Sequence, residues 1–560
     1  MISFKFIFHP QDWQTLCVQR KQKQWDSIPR EWIIDVPADS RASVINAPLR
    51  AGLLTDLEVK ITETVDLDVL LGKLSNGIWS SVEVTTAFYK RAIIAHQLTN
   101  CLTEIFVERA LARAKQVDDH LKATGSVLGP LHGLPISLKD QFCMKGLETI
   151  MGYASWIGQV SQIDSVLVEI LYDLGAVPFV RTNVPQTLVW GETYNHVFGR
   201  TTNPYNRYMT PGGSSGGEGA LIALKGSPLG VGTDISGSLR IPSAFCGLYT
   251  LRPSYERLPY TNALNSQEGQ ESILSVLGPM ANSLSAVKQF TKAVLDAKPW
   301  DRDPLVVRKP WSEREYALEY HNGGVAMCFA IMWDNGVVKP HPPLVRALKV
   351  VKAALEAAGH KDGGHDYRTE CARIGEPLIE TMLPNEDAHD YPLSQPLAKM
   401  LVGEAQHVSA YELWQLHKQK RILRKSYLDH WQATVSRTGT ARPVDAIIAP
   451  AVACTACPHG TNSDCFYTGL VNLLDYSASV FPMLFADKSL DERQPPHEFR
   501  NHEDEVIYNL YEPELFHGLP VGLQLVGRSQ EEEAVIGMTE VVDKAVKEYK
   551  SVHGDGGLAM

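Results

Sequence analysis

No apolar run in this 560-residue chain exceeds about nine residues. The longest, Val325 to Trp333, falls well short of the roughly 18–20 that cross a bilayer. The opening MISFKFIFHPQDW has neither a long enough apolar stretch nor a small-residue cleavage site for a secretory leader. A soluble, cytoplasmic protein without a membrane partner is expected. A basic excess is lacking too: 53 Lys and Arg against 64 Asp and Glu leave a net charge of -11. No Lys/Arg cluster is interleaved with aromatics, so a phosphate-binding face, and with it a nucleic-acid partner, is not expected.

The chain also lacks internal repeats, low-complexity tracts and any disulfide-like spacing. Its nine cysteines are odd in number and scattered through apolar context, as suits reduced thiols. Cys454-x-x-Cys457, with His459 and Cys465 nearby, has no second pair to complete a zinc site and reads as buried thiols. His497-Glu498 begins like a metalloprotease motif. The next histidine, His502, is five residues on rather than the four that share a helix face. No metal and no organic cofactor are expected.

What remains is ordinary globular composition, 44% hydrophobic and 21% charged. Residues 1–60 read as a helical arm anchored by Trp13, Trp25 and Trp32. Residues 61–545 read as a single domain without a linker, and 546–560 as a flexible tail. Ser80 with Glu83, and Ser409 with Glu412, form capping boxes that open helices, the first burying Val84, Phe88 and Ala92. Asp164 to Leu174 reads as a helix stopped by Gly175, followed by a strand at Val177 to Val180. Asp445 to Ala449 and Val521 to Val526 read as buried strands, and 486–513 as a polar surface excursion. Strand–helix alternation through 130–255 favours an α/β fold, a large mixed sheet covered by helices.

Three segments concentrate the unusual chemistry. GLPISLKD (Gly133–Asp140) ends a strand-like run on Lys139. A lone lysine there is ordinarily a surface cap. Held in apolar surroundings, its charged form is penalised and it becomes a usable base. PGGSSGGEGA (Pro211–Ala220) places Ser214 and Ser215 among glycines just before a helical pattern, which a flexible turn would also explain. GVGTDISGSLRIP (Gly230–Pro242) runs a strand into a Ser-Gly-Ser turn bearing Ser238, where successive N–H groups can converge on an oxyanion. Alone, that segment is equally a structural turn.

Together the three resemble the amidase signature family, with 24 residues separating Ser214 from Ser238. TNVPQT (Thr182–Thr187), FCGLYTLRPS (Phe245–Ser254) and GLPVGLQLVGR (Gly518–Arg528) extend the likeness across most of 60–545. QLTNCLTEIF (Gln97–Phe106), NSQEGQESILSVLGPM (Asn265–Met280), PHPP (Pro340–Pro343) and DAIIAP (Asp445–Pro450) are similar to fungal acetamidase-type general amidases. The resemblance implies hydrolysis of a small-molecule amide through an acyl-enzyme on Ser238. Ser214 would relay the proton, beside a cis Gly213–Ser214 peptide, and neutral Lys139 would accept it. It further implies an oxyanion hole from the N–H groups of Ile235, Ser236, Gly237 and Ser238, and a substrate contact at Leu188. Asp234 and Arg240 would brace the turn. A homodimer is the family's common state. Ser236 departs from the glycine usual there, which is costly if that residue needs φ > 0.

Gly213-Ser214-Ser215-Gly216-Gly217 also satisfies G-x-S-x-G, the hydrolase elbow, but the polar NPYNRYMTP before it is no strand. The same fold carries amidotransferase catalytic subunits, and a non-catalytic scaffold is a further alternative.

Overall fold

The computed structural model describes residues 12–363 and 409–554. The first eleven residues, the last six and Cys371 lie outside the described residues. Two compact units emerge. The first comprises residues 1–232, 259–268 and 281–306; the second comprises 233–258, 269–280 and 307–560.

In the first unit, helix α1 (Trp13–Asp26) precedes α2 (Ser81–Thr99). The expected capping box is present: Glu83 N donates to Ser80 Oγ at 3.1 Å and Ser80 N to Glu83 Oε2 at 2.8 Å. Val84, Phe88 and Ala92 are buried, as their spacing predicts. Strands β1 (Leu102–Ile105), β2 (Pro135–Lys139), β3 (Val177–Thr182) and β4 (Leu229–Asp234) follow. β2 lies between β3 and β4 and is parallel to both, while β1 runs antiparallel to β3. α3 (Val166–Asp173) starts at Ser165 and is followed by Gly175 at φ 87°, which turns the chain into β3.

The arm is fastened only in part as expected, Trp13 meeting the His196 ring edge-on at 5.3 Å between centroids. Trp13 and Trp25 are 43% and 42% exposed, and Trp32 is only half-buried. α1 buries Cys17, Arg20 and Gln24 instead. Arg20 Nε donates to Glu148 at 2.7 Å and its Nη2 to Glu104, while Gln24 Nε2 donates to the Leu102 carbonyl at 2.6 Å. A buried charge needs such partners, and their directionality fixes the helix more specifically than an indole on a surface could.

The second unit contains β5 (Tyr249–Arg252), β6 (Cys328–Ile331), β7 (Lys361–Asp362), β8 (Ala446–Pro450), β9 (Ala478–Phe485) and β10 (Pro520–Val526). They lie in the order β5-β9-β10-β8-β6-β7. β8–β6 and β6–β7 are parallel and the other pairs antiparallel. Both units therefore show the mixed α/β class that the alternation predicted. The Ser409–Glu412 box caps a helix over Ala410–Ala433. The excursion at 486–513 contains a helix, His502–Leu510, capped by Asn501. No helix among the described residues is long and apolar enough to cross a membrane.

Candidate active site

Lys139 is the last residue of β2, and its side chain is fully buried. Its Nζ donates to Ser214 Oγ at 2.7 Å. Ser214 follows a cis Gly213–Ser214 peptide, and a helix, α4 (Gly216–Ala223), starts two residues later. The residues before Gly213 form turns rather than a strand, so the support a nucleophile elbow needs under Ser215 is missing.

A third buried group completes this corner. Alternation along β2 puts Ser137 on the face that bears Lys139, and Thr182 of β3 is the register partner of Lys139. Both hydroxyls donate to Glu218 of α4, Ser137 to Oε2 at 2.6 Å and Thr182 to Oε1 at 2.9 Å. A Cβ on Gly230 would lie 2.0 Å from Glu218 Oε2, so only glycine lets β4 pass the carboxyl. Burial pushes the Glu218 carboxyl up to about 8, against the hydroxyl donors and the Lys139 charge. Glu218 is thus an uncharged acid at neutral pH. Beside Lys139, Asp140 is also raised by burial, to about 6, although it pairs with Arg181 at 3.5 Å.

The second constellation belongs to the turn after β4. Asp234 Oδ1 accepts Gly237 N–H at 2.8 Å, and Oδ2 accepts Leu239 N–H at 3.2 Å and Arg240 Nε–H at 3.0 Å. Arg240 continues to Gln524 at 3.1 Å and to Asn472, and Asn472 donates back to Asp234 at 2.8 Å. Burial opposes ionisation here, but the Arg240 guanidinium, the Arg252 charge and the Asn472 amide outweigh it. They hold the Asp234 carboxyl well below the usual carboxylate range. Asp234 and Arg240 therefore brace the turn as expected. Gly237 takes φ 127°, and Ser236 keeps a negative φ, so the serine in place of the family's glycine introduces no left-handed strain. Thr468 Oγ1 donates to the Ser236 carbonyl at 2.6 Å. Among the described residues, the N–H groups of Ile235, Ser236 and Ser238 carry no hydrogen bond, whereas that of Gly237 is committed to Asp234.

The amidase family model matches residues 83–369 and 373–536. The chain belongs to the amidase family. This amidase is 41% identical to the acetamidase of Emericella nidulans, over 96% of this chain and 98% of that protein. It is 40% identical to the acetamidase of Aspergillus oryzae, over 95% and 98%. The solved structure of a fatty acid amide hydrolase superposes with a TM-score of 0.87 at 31% identity, covering 96% of this chain and 95% of that one. The amidase is thus an enzyme acting on amide C–N bonds.

Elsewhere in the amidase, Leu188 is buried at φ 64° in an apolar cluster with Met151 and Val184, flanked by Tyr153, Trp156 and Leu264. Cys454 and Cys457 are buried thiols. His497 Nε2 is 2.9 Å from Asp504. No group of three or more His, Cys, Asp or Glu among the described residues could hold a metal ion. Sequence reasoning missed Glu218, Thr468, Asn472 and Gln524. Glu218 did leave a signal, an acid in a Gly/Ala/Leu helix with no neighbouring base.

Proposed function

We propose that this amidase cleaves a primary or simple secondary carboxamide to a carboxylate and ammonia or an amine, through an acyl-enzyme on Ser238. The observation that carries the reading is the buried 2.7 Å contact between Lys139 Nζ and Ser214 Oγ. In this proposal the fully buried Lys139 acts as the uncharged amine, because removal from water penalises an ammonium. In that form the lone pair reverses the contact, and the Ser214 O–H donates to Nζ.

Ser238 Oγ attacks the carbonyl carbon as its proton passes to Ser214, whose own proton passes to Lys139. The tetrahedral oxyanion takes the uncommitted N–H groups of Ile235, Ser236 and Ser238, each donor contributing a few kcal/mol to the barrier. The Gly237 N–H, bound to Asp234, holds the turn instead. As the C–N bond breaks, the Lys139 proton returns through Ser214 to the leaving nitrogen. Water, deprotonated by the same relay, then releases the carboxylate and restores the Ser238 hydroxyl. Leu188, Met151 and Val184 supply an apolar wall for the acyl group. The names of its relatives, acetamidase and fatty acid amide hydrolase, bracket an acyl chain from two carbons upward. We read the enzyme as cytoplasmic, acting without nucleic acid or membrane, and as a homodimer.

Ammonia release from a panel of aliphatic, aromatic and long-chain amides tests the reading. Ser238→Ala and Lys139→Ala are each expected to lose at least three orders of magnitude in kcat/KM, and Ser214→Ala somewhat less. Near-wild-type turnover by the folded lysine variant would overturn it.

A further inference from the structure

Two sequence features are left over by this chemistry, the PHPP segment and the polar excursion at 486–513. Both line one cavity of about 510 Å³ in the second unit. That size suits a small organic ligand. The Pro340–Pro343 stretch leads into a helix over Pro342–Ala357, with His341 as its N-cap. The facing side brings Leu490, Asp491, Arg493, Gln494, Pro495, His497, Tyr508 and Tyr511, all built by the excursion and its helix.

The charges in this cavity do not cancel. Arg346 is spent on Asp491, with Nε 2.7 Å from Oδ1 and Nη2 2.8 Å from Oδ2. Asp334 is taken by Arg500 at 2.8 Å. His497 is engaged by Asp504. His341 enters neutral, because burial pushes it down to about 4 and its Nε2–H donates to the Ile507 carbonyl at 2.8 Å. Lys339, Lys349 and Arg493 line the same cavity, the last two exposed, and among the described residues none of their side chains pairs with a carboxylate, although the Lys339 backbone N–H donates to Asp504 at 2.9 Å. Three unmatched cations around one hollow are notable in a chain of net charge -11.

The walls say what kind of anion fits. Arg493 lies over the Tyr508 ring at 4.9 Å, and Tyr511 packs against His341 at 4.9 Å, so flat surfaces are already arranged along one side. Trp333 and three prolines contribute further apolar faces. A phosphate site ordinarily gathers backbone N–H groups at a helix start. Here Pro342 and Pro343 occupy the first two positions of the helix, and Pro340 and Pro495 also line the cavity, so those donors are missing. The cations are single charges on separate side chains, which suits one carboxylate attached to a ring.

We propose that this cavity is a binding site for a small aromatic carboxylate, separate from the Lys139–Ser214 chemistry. The carboxylate pairs with Lys339 and Arg493, with Lys349 at the edge, and the ring lies among Tyr508, Tyr511 and Trp333.

Isothermal titration of the full-length protein with benzoate, acetate, inorganic phosphate and AMP tests this. Fluorophosphonate is applied beforehand so that the reactive serine is blocked. One benzoate per chain is expected, with acetate and phosphate each at least tenfold weaker. Lys339→Gln with Arg493→Gln should weaken benzoate at least tenfold, and Tyr508→Leu should weaken benzoate but not acetate. Turnover of a simple aliphatic amide by the double variant should stay near wild type, confirming the fold. Benzoate binding that the double variant leaves unchanged would overturn the proposal. So would phosphate or AMP binding as tightly as benzoate, or no saturable benzoate binding at 10 mM.

Discussion

Replacing Gly237 by alanine is the most informative single change. The backbone there sits at φ 127°, where a side chain is strained. The added Cβ would lie 2.3 Å from Thr468 Oγ1, 2.7 Å from Thr468 Cβ and 2.9 Å from Ile241 Cδ1. The methyl group must therefore either move the turn or evict Thr468, and eviction breaks the 2.6 Å hydrogen bond to the Ser236 carbonyl. Backbone strain of this kind costs about 1–3 kcal/mol, and the lost hydrogen bond adds about 1 kcal/mol. If the strain is relieved by displacing the turn that bears Ser238, kcat/KM falls by roughly 30- to 1,000-fold, at 1.36 kcal/mol per tenfold. Ammonia release from an aliphatic amide measures this, with circular dichroism confirming the fold. Thr468→Ala alone loses the hydroxyl's contacts with the Ser236 and Cys465 carbonyls without adding strain, so it should cost about tenfold or less. The double variant should cost no more than Gly237→Ala, because the methyl has already broken that bond. A folded Gly237→Ala enzyme within threefold of wild type would mean that the turn takes the methyl without moving Ser238.

Other outcomes follow from the same geometry. Asp234→Ala leaves Arg240 buried without its carboxylate and should destabilise the fold by about 3–5 kcal/mol, read from urea unfolding. Glu218 has its carboxyl near 8 when folded, against an ordinary value of 4.5. The folded protein therefore keeps a proton that the unfolded chain releases. Stability from this group is complete below about pH 4.5 and is lost as pH rises toward 8. Glu218→Gln should remove that loss, so the stability gap between variant and wild type should widen with pH by up to about 1.4 kcal/mol per unit between pH 5 and 7. A gap independent of pH would contradict the uncharged acid. Because the proposed base is an uncharged amine, kcat/KM should rise toward alkaline pH. A flat profile from pH 6 to 9 with chemistry rate-limiting would count against it.

Local signals are legible in the sequence, although the tail expected from 546 is helix as far as His553. The Ser80 and Ser409 capping boxes, the Gly175 stop and the strand ending on Lys139 depend on residues within a turn or two of each other. The three chemical segments stood out because glycine, serine and lysine sit where ordinary packing has no use for them. The arm is legible only in part: Trp13 does meet His196, but α1 is held by Arg20 and Gln24, whose partners lie far along the chain. The bracing of the Ser238 turn was half legible: Asp234 and Arg240 are local. Thr468, Asn472 and Gln524 reach it across 232 to 284 residues, which no periodicity reveals. The doubt over Ser236 was settled by the backbone, where the positive φ falls on Gly237.

In the proposed chemistry a buried amine activates one particular hydroxyl by way of another. Labelling the folded protein with a fluorophosphonate and mapping the adduct by peptide mass spectrometry distinguishes that hydroxyl from its neighbours. A single adduct on Ser238 is expected, formed at least 100-fold more slowly in Lys139→Ala. An adduct on Ser215, or equal labelling in the lysine variant, would contradict it.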